Sequence, residues 1–215
     1  MAVENQAPIA KEGYIFIAIG VVATALSAVF LSQGLTIFLA LLSFFCLWFF
    51  RDPKRKVPQD EGFVVSPADG LIVDISSVQE DRFLKKPAIK VSVFLNVFNV
   101  HVNRVPVAGK IVDTFYNAGK FLRANVPKAS LDNEQNALLI EMTSGKRIVC
   151  IQIAGLIARR IVCRAKKGDL FDRGERFGLI RFGSRTDIFL PPETEMQIKV
   201  GDKVKGGETV LGMLR

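Results

Sequence analysis

Between Tyr14 and Phe50 the chain carries no Asp, Glu, Lys, Arg or His. That run constrains the fold more than any other segment, because so long an uncharged stretch belongs inside protein or in lipid. Tyr14–Leu31 and Leu35–Phe50 are its two apolar parts, separated by Ser32-Gln33-Gly34. A bilayer core takes about 20 apolar residues per helix, and about 17 is the lower limit. The first part just reaches that length and the second is short. A pair of apolar helices, spanning as a hairpin or re-entrant in one leaflet, is therefore expected over 14–50, behind an N-terminal tail over 1–13. The turn is expected at Gln33-Gly34, since glycine accepts the positive φ that ends a helix. A signal peptide fits poorly, given the weak n-region and the second apolar segment.

Charge divides the chain at the same place. Residues 1–50 hold Lys11 against Glu4 and Glu12, a net of −1, so the remainder carries +9 to reach the total of +8. Arg51-Asp52-Pro53-Lys54-Arg55-Lys56 follows the apolar run at once, and Trp48, Phe49 and Phe50 sit at its edge. Positive-inside topology and an aromatic belt then place residues 51–215 at the cytoplasmic face of the cell membrane. A basic domain beside an anchor suits an anionic membrane surface, where each nearby Lys or Arg adds about 1 kcal/mol. Solubility is the other use for the same charge. RNP, zinc-finger and helix-turn-helix signatures are missing, so nucleic acid is not an expected partner. Cys46, Cys150 and Cys163 form no CxxC pair, and His101 is the only histidine. Reduced structural thiols and no metal site are expected.

From Gly62 onward the pattern is β. Short runs rich in Val, Ile and Phe recur between Gly, Pro, Asn and Asp: Gly70–Ile75, Ile89–Leu95, Gly109–Thr114, Ala137–Glu141, Arg147–Ile153 and Ile161–Arg164. Lys90-Val91-Ser92-Val93-Phe94 alternates with period two, as a half-buried strand does. Helical patterning is weak outside Ala118–Ala124 and Ala154–Arg160. The expected catalytic-size domain is mainly β, a barrel or sandwich. Its C-terminal run from Val200 to Gly212, with glycine turns between short strands, has the texture of barrel-sandwich hybrid carriers. Lys203 and Lys205 lack the flanks of a modifiable carrier lysine, so only fold is read there.

Three stretches carry possible chemistry. The first is Gly174-Glu175-Arg176-Phe177-Gly178-Leu179-Ile180-Arg181-Phe182-Gly183-Ser184-Arg185. Read as structure alone, it is two strands with glycine at bulges and serine in a turn. Read as chemistry, Ser184 Oγ attacks the carbonyl of Gly183, where glycine permits an unusual backbone. β-Elimination from the resulting ester leaves dehydroalanine, which hydrolyses to a pyruvoyl group and ammonia. The second stretch is Phe98-Asn99-Val100-His101-Val102-Asn103-Arg104-Val105-Pro106, and the third is Ser66-Pro67-Ala68-Asp69-Gly70. Alone, His101 reads as a packed or exposed strand-end residue and Asp69 as turn sequence.

Taken in order, these motifs resemble the short-form phosphatidylserine decarboxylases, and with the apolar N-terminal region and glycine-rich C-terminus the resemblance spans the chain. It implies autocatalytic cleavage at Gly183–Ser184 into a β chain, 1–183, and an α chain, 184–215, that stay together as a heterodimer open to further oligomerisation. It implies a covalent pyruvoyl cofactor from Ser184 that forms a Schiff base with phosphatidylserine and releases carbon dioxide and phosphatidylethanolamine. It makes His101 the general acid/base and Asp69 part of a serine-activating relay, Asp69–His101–Ser184. The chain departs from longer bacterial members at Arg104, where they carry a second histidine. Phosphate ligands are sought among Arg51, Lys54, Arg55 and Lys56, whose plainer role is topology. Two rivals keep the chain intact: a membrane-bound serine hydrolase, labelled at Ser184 by a fluorophosphonate, and a membrane-tethered carrier-like adaptor indifferent to Ser184→Ala. The G-x-S-x-G elbow of the former is not present.

Overall fold

The computed structural model describes residues 7–119, 133–155, 160–181 and 183–214. It forms two compact units, Met1–Lys54 and Arg55–Arg215. In the first, helix α1 (Tyr14–Phe30) and helix α2 (Gln33–Phe49) make the hairpin. Its turn falls at Leu31-Ser32 rather than at Gln33-Gly34. Leu31 is extended, and Ser32 caps α2 by accepting the Leu35 N–H at 3.4 Å. A serine oxygen satisfies an orphan donor of the first helical turn, which glycine cannot do, and Gly34 is drawn into the helix.

The helices meet through small and hydroxyl residues. Ser27 Oγ lies 3.0 Å from Thr36 Oγ1, Thr24 Oγ1 lies 3.3 Å from Ser43 Oγ, and Ser43 leaves no room for a side chain at Gly20. Helices in lipid pack in this way, by close backbone approach and hydroxyl contacts. The large apolar groups face outward instead: Val29 and Phe30 are 72% and 75% exposed. Lys11–Phe30 is long and apolar enough to cross a membrane, while Gln33–Phe49 is shorter. Nor is the N-terminal tail separate from the hairpin. The Ala10 N–H donates to the Phe50 carbonyl and the Asp52 N–H to the Pro8 carbonyl, each at 2.7 Å. This pairing carries the first unit four residues past the expected boundary at Phe50, to Lys54.

The second unit is mainly β, as expected. Its strands are β1 (Phe63–Val65), β2 (Gly70–Glu80), β3 (Lys86–Leu95), β4 (Val102–Arg104), β5 (Gly109–Asn117), β6 (Gln135–Glu141), β7 (Arg147–Ala154), β8 (Ile161–Cys163), β9 (Leu170–Phe171), β10 (Arg176–Ile180), β11 (Ser184–Leu190), β12 (Glu195–Met196), β13 (Lys203–Val204) and β14 (Val210–Met213). Among the described residues they form an eight-stranded sheet ordered β13-β2-β3-β11-β7-β6-β5-β9 and two three-stranded ones, β1-β14-β12 and β4-β10-β8. The large sheet is curled into a half-barrel. Bulges at Ile72/Asp74 and Ile111/Asp113 shift the register and add local bend and twist. Most of the expected helical segments fall outside the described residues, and Ala154 closes β7.

Period two sorts the side chains. Val91, Val93, Leu95, Ile148, Cys150 and Ile188 point into the main core, with Phe177 from the small sheet. Val149, Ile151 and Ile153 point the other way and pack with Ala137 and Leu139. The cysteines are free, and burial pushes the Cys150 thiol far above the ordinary thiol range and raises Cys163 as well. The folded state therefore keeps a proton that the unfolded chain releases above pH ~9. The sign follows: stability from this group is full below that pH and falls above it, by about 1.4 kcal/mol per pH unit per thiol. Urea titrations between pH 8 and 10 should show the decline, and alkylation at pH 8 should modify Cys150 only after unfolding.

Candidate active site

The site grows from the end of β3. After Leu95 the chain turns through residues 96–101, locked by two asparagines. Asn99 Oδ1 accepts the Asn96 N–H and Asn96 Oδ1 accepts the Phe98 N–H, both at 2.9 Å. Short side chains that bond their own backbone stabilise such a turn. It delivers His101, fully buried, at the head of β4. The ring is fixed at both nitrogens. Nδ1 lies 3.0 Å from the Asn99 carbonyl, and the Gly183 N–H donates to Nε2 at 3.4 Å. This pattern assigns the ring proton to Nδ1 and the lone pair to Nε2. The Ile180 N–H donates to the His101 carbonyl at 3.2 Å, tying the imidazole's backbone to the end of β10.

Gly183 has φ +63°, and a Cβ there would meet nothing within 4 Å. Space is available, so it is backbone conformation that calls for glycine. Ser184 opens β11 immediately afterwards, between Leu95 of β3 and Ala154 of β7. It is fully buried, and its Oγ has no hydrogen-bond partner among the described residues. A buried hydroxyl without a partner costs about 1–3 kcal/mol, which a purely structural serine has no reason to bear. His101 Nε2 thus meets the backbone N–H of the residue that precedes Ser184.

Asp69 is placed differently. Both its oxygens accept from Arg55 Nη2 at 2.9 Å, and Oδ1 also accepts the Gly206 N–H at 2.8 Å. Among the described residues its hydrogen bonds go to those groups. Arg55 is thereby taken out of the set of free phosphate ligands, with its side chain 6% exposed. Arg51 stacks on Trp48, 4.2 Å from the ring centroid, as an interfacial cation would. Arg104 Nη1 donates to the Gly174 carbonyl at 3.1 Å, and its Cδ packs against Gly207.

Sequence reading passed over a set of buried polar side chains on the inner side of these strands. Asn103, Gln152 and Thr186 are fully buried and Asn136 is nearly so. Glu134, also buried, accepts from the Tyr116 hydroxyl at 3.0 Å and the Ile161 N–H at 3.4 Å. Strand parity is the signal that could have found them. Gln152 continues the inward series Ile148, Cys150, and Thr186 precedes Ile188 and Leu190 on the same face.

Fold and site together define a class: a curled β domain whose central strand opens with a buried serine, behind a left-handed glycine and beside an imidazole. A family model described as phosphatidylserine decarboxylase matches residues 42–212. The chain is 51% identical to a phosphatidylserine decarboxylase proenzyme of Syntrophus aciditrophicus over 205 residues, covering 95% of this chain and 96% of that one. It is 48% identical over 207 residues to the protein of that name in Geotalea uraniireducens, covering 96% and 97%. The chain belongs to the phosphatidylserine decarboxylase family.

Proposed function

We propose that this chain converts phosphatidylserine to phosphatidylethanolamine and carbon dioxide through a pyruvoyl group that it makes from its own Ser184. One observation carries the reading: a buried Ser184 Oγ, unpartnered among the described residues, follows a left-handed Gly183 whose N–H meets His101 Nε2. As the long Gly183 N–H contact gives way, Nε2 accepts the Ser184 hydroxyl proton, Oγ attacks the Gly183 carbonyl, and the C–N bond breaks to give an ester. Loss of the Ser184 Cα proton expels Gly183 as a carboxylate and leaves dehydroalanine. Hydrolysis consumes one water, releases ammonia and leaves the pyruvoyl at the head of residues 184–215.

A pyruvoyl group supplies an electrophilic carbonyl that draws electron density as carbon dioxide leaves. The chain's own residues do the rest. Complete burial of Ser184, His101 and Thr186 keeps the site dry. Once Gly183 is a chain end, its N–H no longer has to occupy Nε2. The freed nitrogen can hold the proton that returns to the substrate carbon. One imidazole then serves both stages in succession, and Arg104 need not replace the second histidine. Asp69 acts as a positioning residue, joining Arg55 of the large chain to Gly206 of the small one. The apolar hairpin keeps the domain at the cytoplasmic face of the cell membrane, where an anionic surface meets the basic unit and the lipid substrate resides.

Intact mass spectrometry tests the proposal. Two fragments are expected, the smaller with a blocked residue 184 sensitive to borohydride, together with carbon dioxide release from phosphatidylserine vesicles. A lone species of 23.8 kDa would sink it. The conformational claim has its own test. Gly183→Ala adds a methyl in open space but opposes the positive φ by about 1–2 kcal/mol. Self-cleavage, followed by gel, should slow roughly 5- to 30-fold with no loss of folded protein.

A further inference from the structure

Asn103 and Thr186 each lie two residues beyond a group of the site, Asn103 after His101 and Thr186 after Ser184. They are joined. Asn103 Nδ2 donates to Thr186 Oγ1 at 3.5 Å, Gln152 Nε2 to Asn103 Oδ1 at 2.8 Å, and Asn136 Nδ2 to Gln152 Oε1 at 3.3 Å. Burying amides is costly unless each is bonded, so a chain of them marks a place where apolar packing would not suffice.

That place is a seam. Asn103 lies on β4, which pairs with β10 in a small sheet, whereas Thr186, Gln152 and Asn136 lie on neighbouring strands of the large one. Gly178 of β10 makes room for the crossing, since a Cβ there would meet Gln152 Nε2 at 2.8 Å. The amides thus fasten the sheet next to the imidazole onto the sheet that carries residue 184.

In the uncut chain the covalent connection from β10 to β11 also joins the two sheets, and the Gly183 N–H bonds His101 Nε2. Cleavage between Gly183 and Ser184 removes the first and releases the second. The Asn99 carbonyl still orients the ring, but only within its own loop. We infer that Asn103, acting through Thr186 and Gln152, is the positioning residue that holds His101 in register with residue 184 after the chain has cut itself. The 3.5 Å contact to Thr186 has room to shorten once the covalent bridge is gone. The inference rests on the self-cleavage proposed above.

Thr186→Val and Thr186→Ser separate the hydroxyl from its volume, and Asn103→Ala removes the junction. Each full-length variant should be followed for cleavage rate by mass, for melting temperature, and for kcat and KM on phosphatidylserine–phosphatidylcholine vesicles across pH. For Thr186→Val and Asn103→Ala the expected result is cleavage and KM within twofold of the parent, with kcat down at least tenfold and a displaced pH profile. Thr186→Ser should retain the parent kcat, and the double variant should be no worse than Asn103→Ala. Fully cut Thr186→Val with kcat within twofold of the parent would overturn the inference alone. So would cleavage slowed as much as kcat, which would place the network's role before the cut. A parent chain that never cuts would overturn both this and the proposed function.

Discussion

Ser184→Ala should yield a single uncut chain of 23.8 kDa with decarboxylation at the uncatalysed background. No other substitution should cost more, because it removes the nucleophile for cleavage and the precursor of the electron sink together. Enzymes typically accelerate their reactions by about 10⁶-fold or more, and essentially all of that should vanish. The fold should not suffer. Ser184 Oγ is buried without a partner among the described residues, so its deletion relieves a desolvation cost of about 1–3 kcal/mol and opens only a small void. Gel analysis, activity on phosphatidylserine vesicles and a melting curve decide the matter. A variant that loses activity by unfolding, or keeps it while uncut, would contradict the assignment.

His101→Ala should come second. A positioned acid or base contributes about 10²–10⁴-fold, and here the same ring is assigned to both stages. The cleavage half-time should lengthen by a factor in that range, and whatever cut protein accumulates should still turn over slowly. Time-resolved mass spectra, followed by assays on the cut fraction, separate the two effects. Slow cleavage followed by normal turnover would confine His101 to processing and place the later proton elsewhere. Removing the imidazole also strands the Gly183 N–H and the Asn99 carbonyl, so His101→Gln is the useful companion, since it keeps a polar group in their reach.

Much of this was legible in the sequence because its causes are local. A charge-free run dictates the apolar hairpin, and apolar runs between turn residues give β6 and β7 to within two residues of their observed limits and β3 to within three. Ser184 and His101 were singled out through motif, and the structure brings the His101 ring to the Gly183 N–H, one residue before Ser184. Asp69 was less legible. Its bonding depends on Arg55 and Gly206, which lie far from it in sequence and look like topology signal and turn glycine. The turn of the hairpin was misplaced because glycine and serine both mark helix ends, and capping at Ser32 prevailed. Short strands such as β4 and β13 exist only through their partners and leave no periodic trace. Asn103 and Gln152 illustrate the same limit: a polar residue in a strand says nothing until the facing element is known.

The position of β11 carries one more consequence. It lies between β3 and β7, inside the eight-stranded order, while β13 of the same C-terminal stretch completes β2, and β14 with β12 completes β1. The proposed cut at residue 184 would therefore change the molecularity of the protein while each strand keeps its neighbours. Before the cut, unfolding and refolding concern one molecule. After it, a denatured sample is two kinds of chain, neither able to close its sheet alone, and recovery becomes a second-order encounter that dilution defeats. Maturation is thus a commitment in time, in which the molecule that can do chemistry can no longer readily rebuild itself.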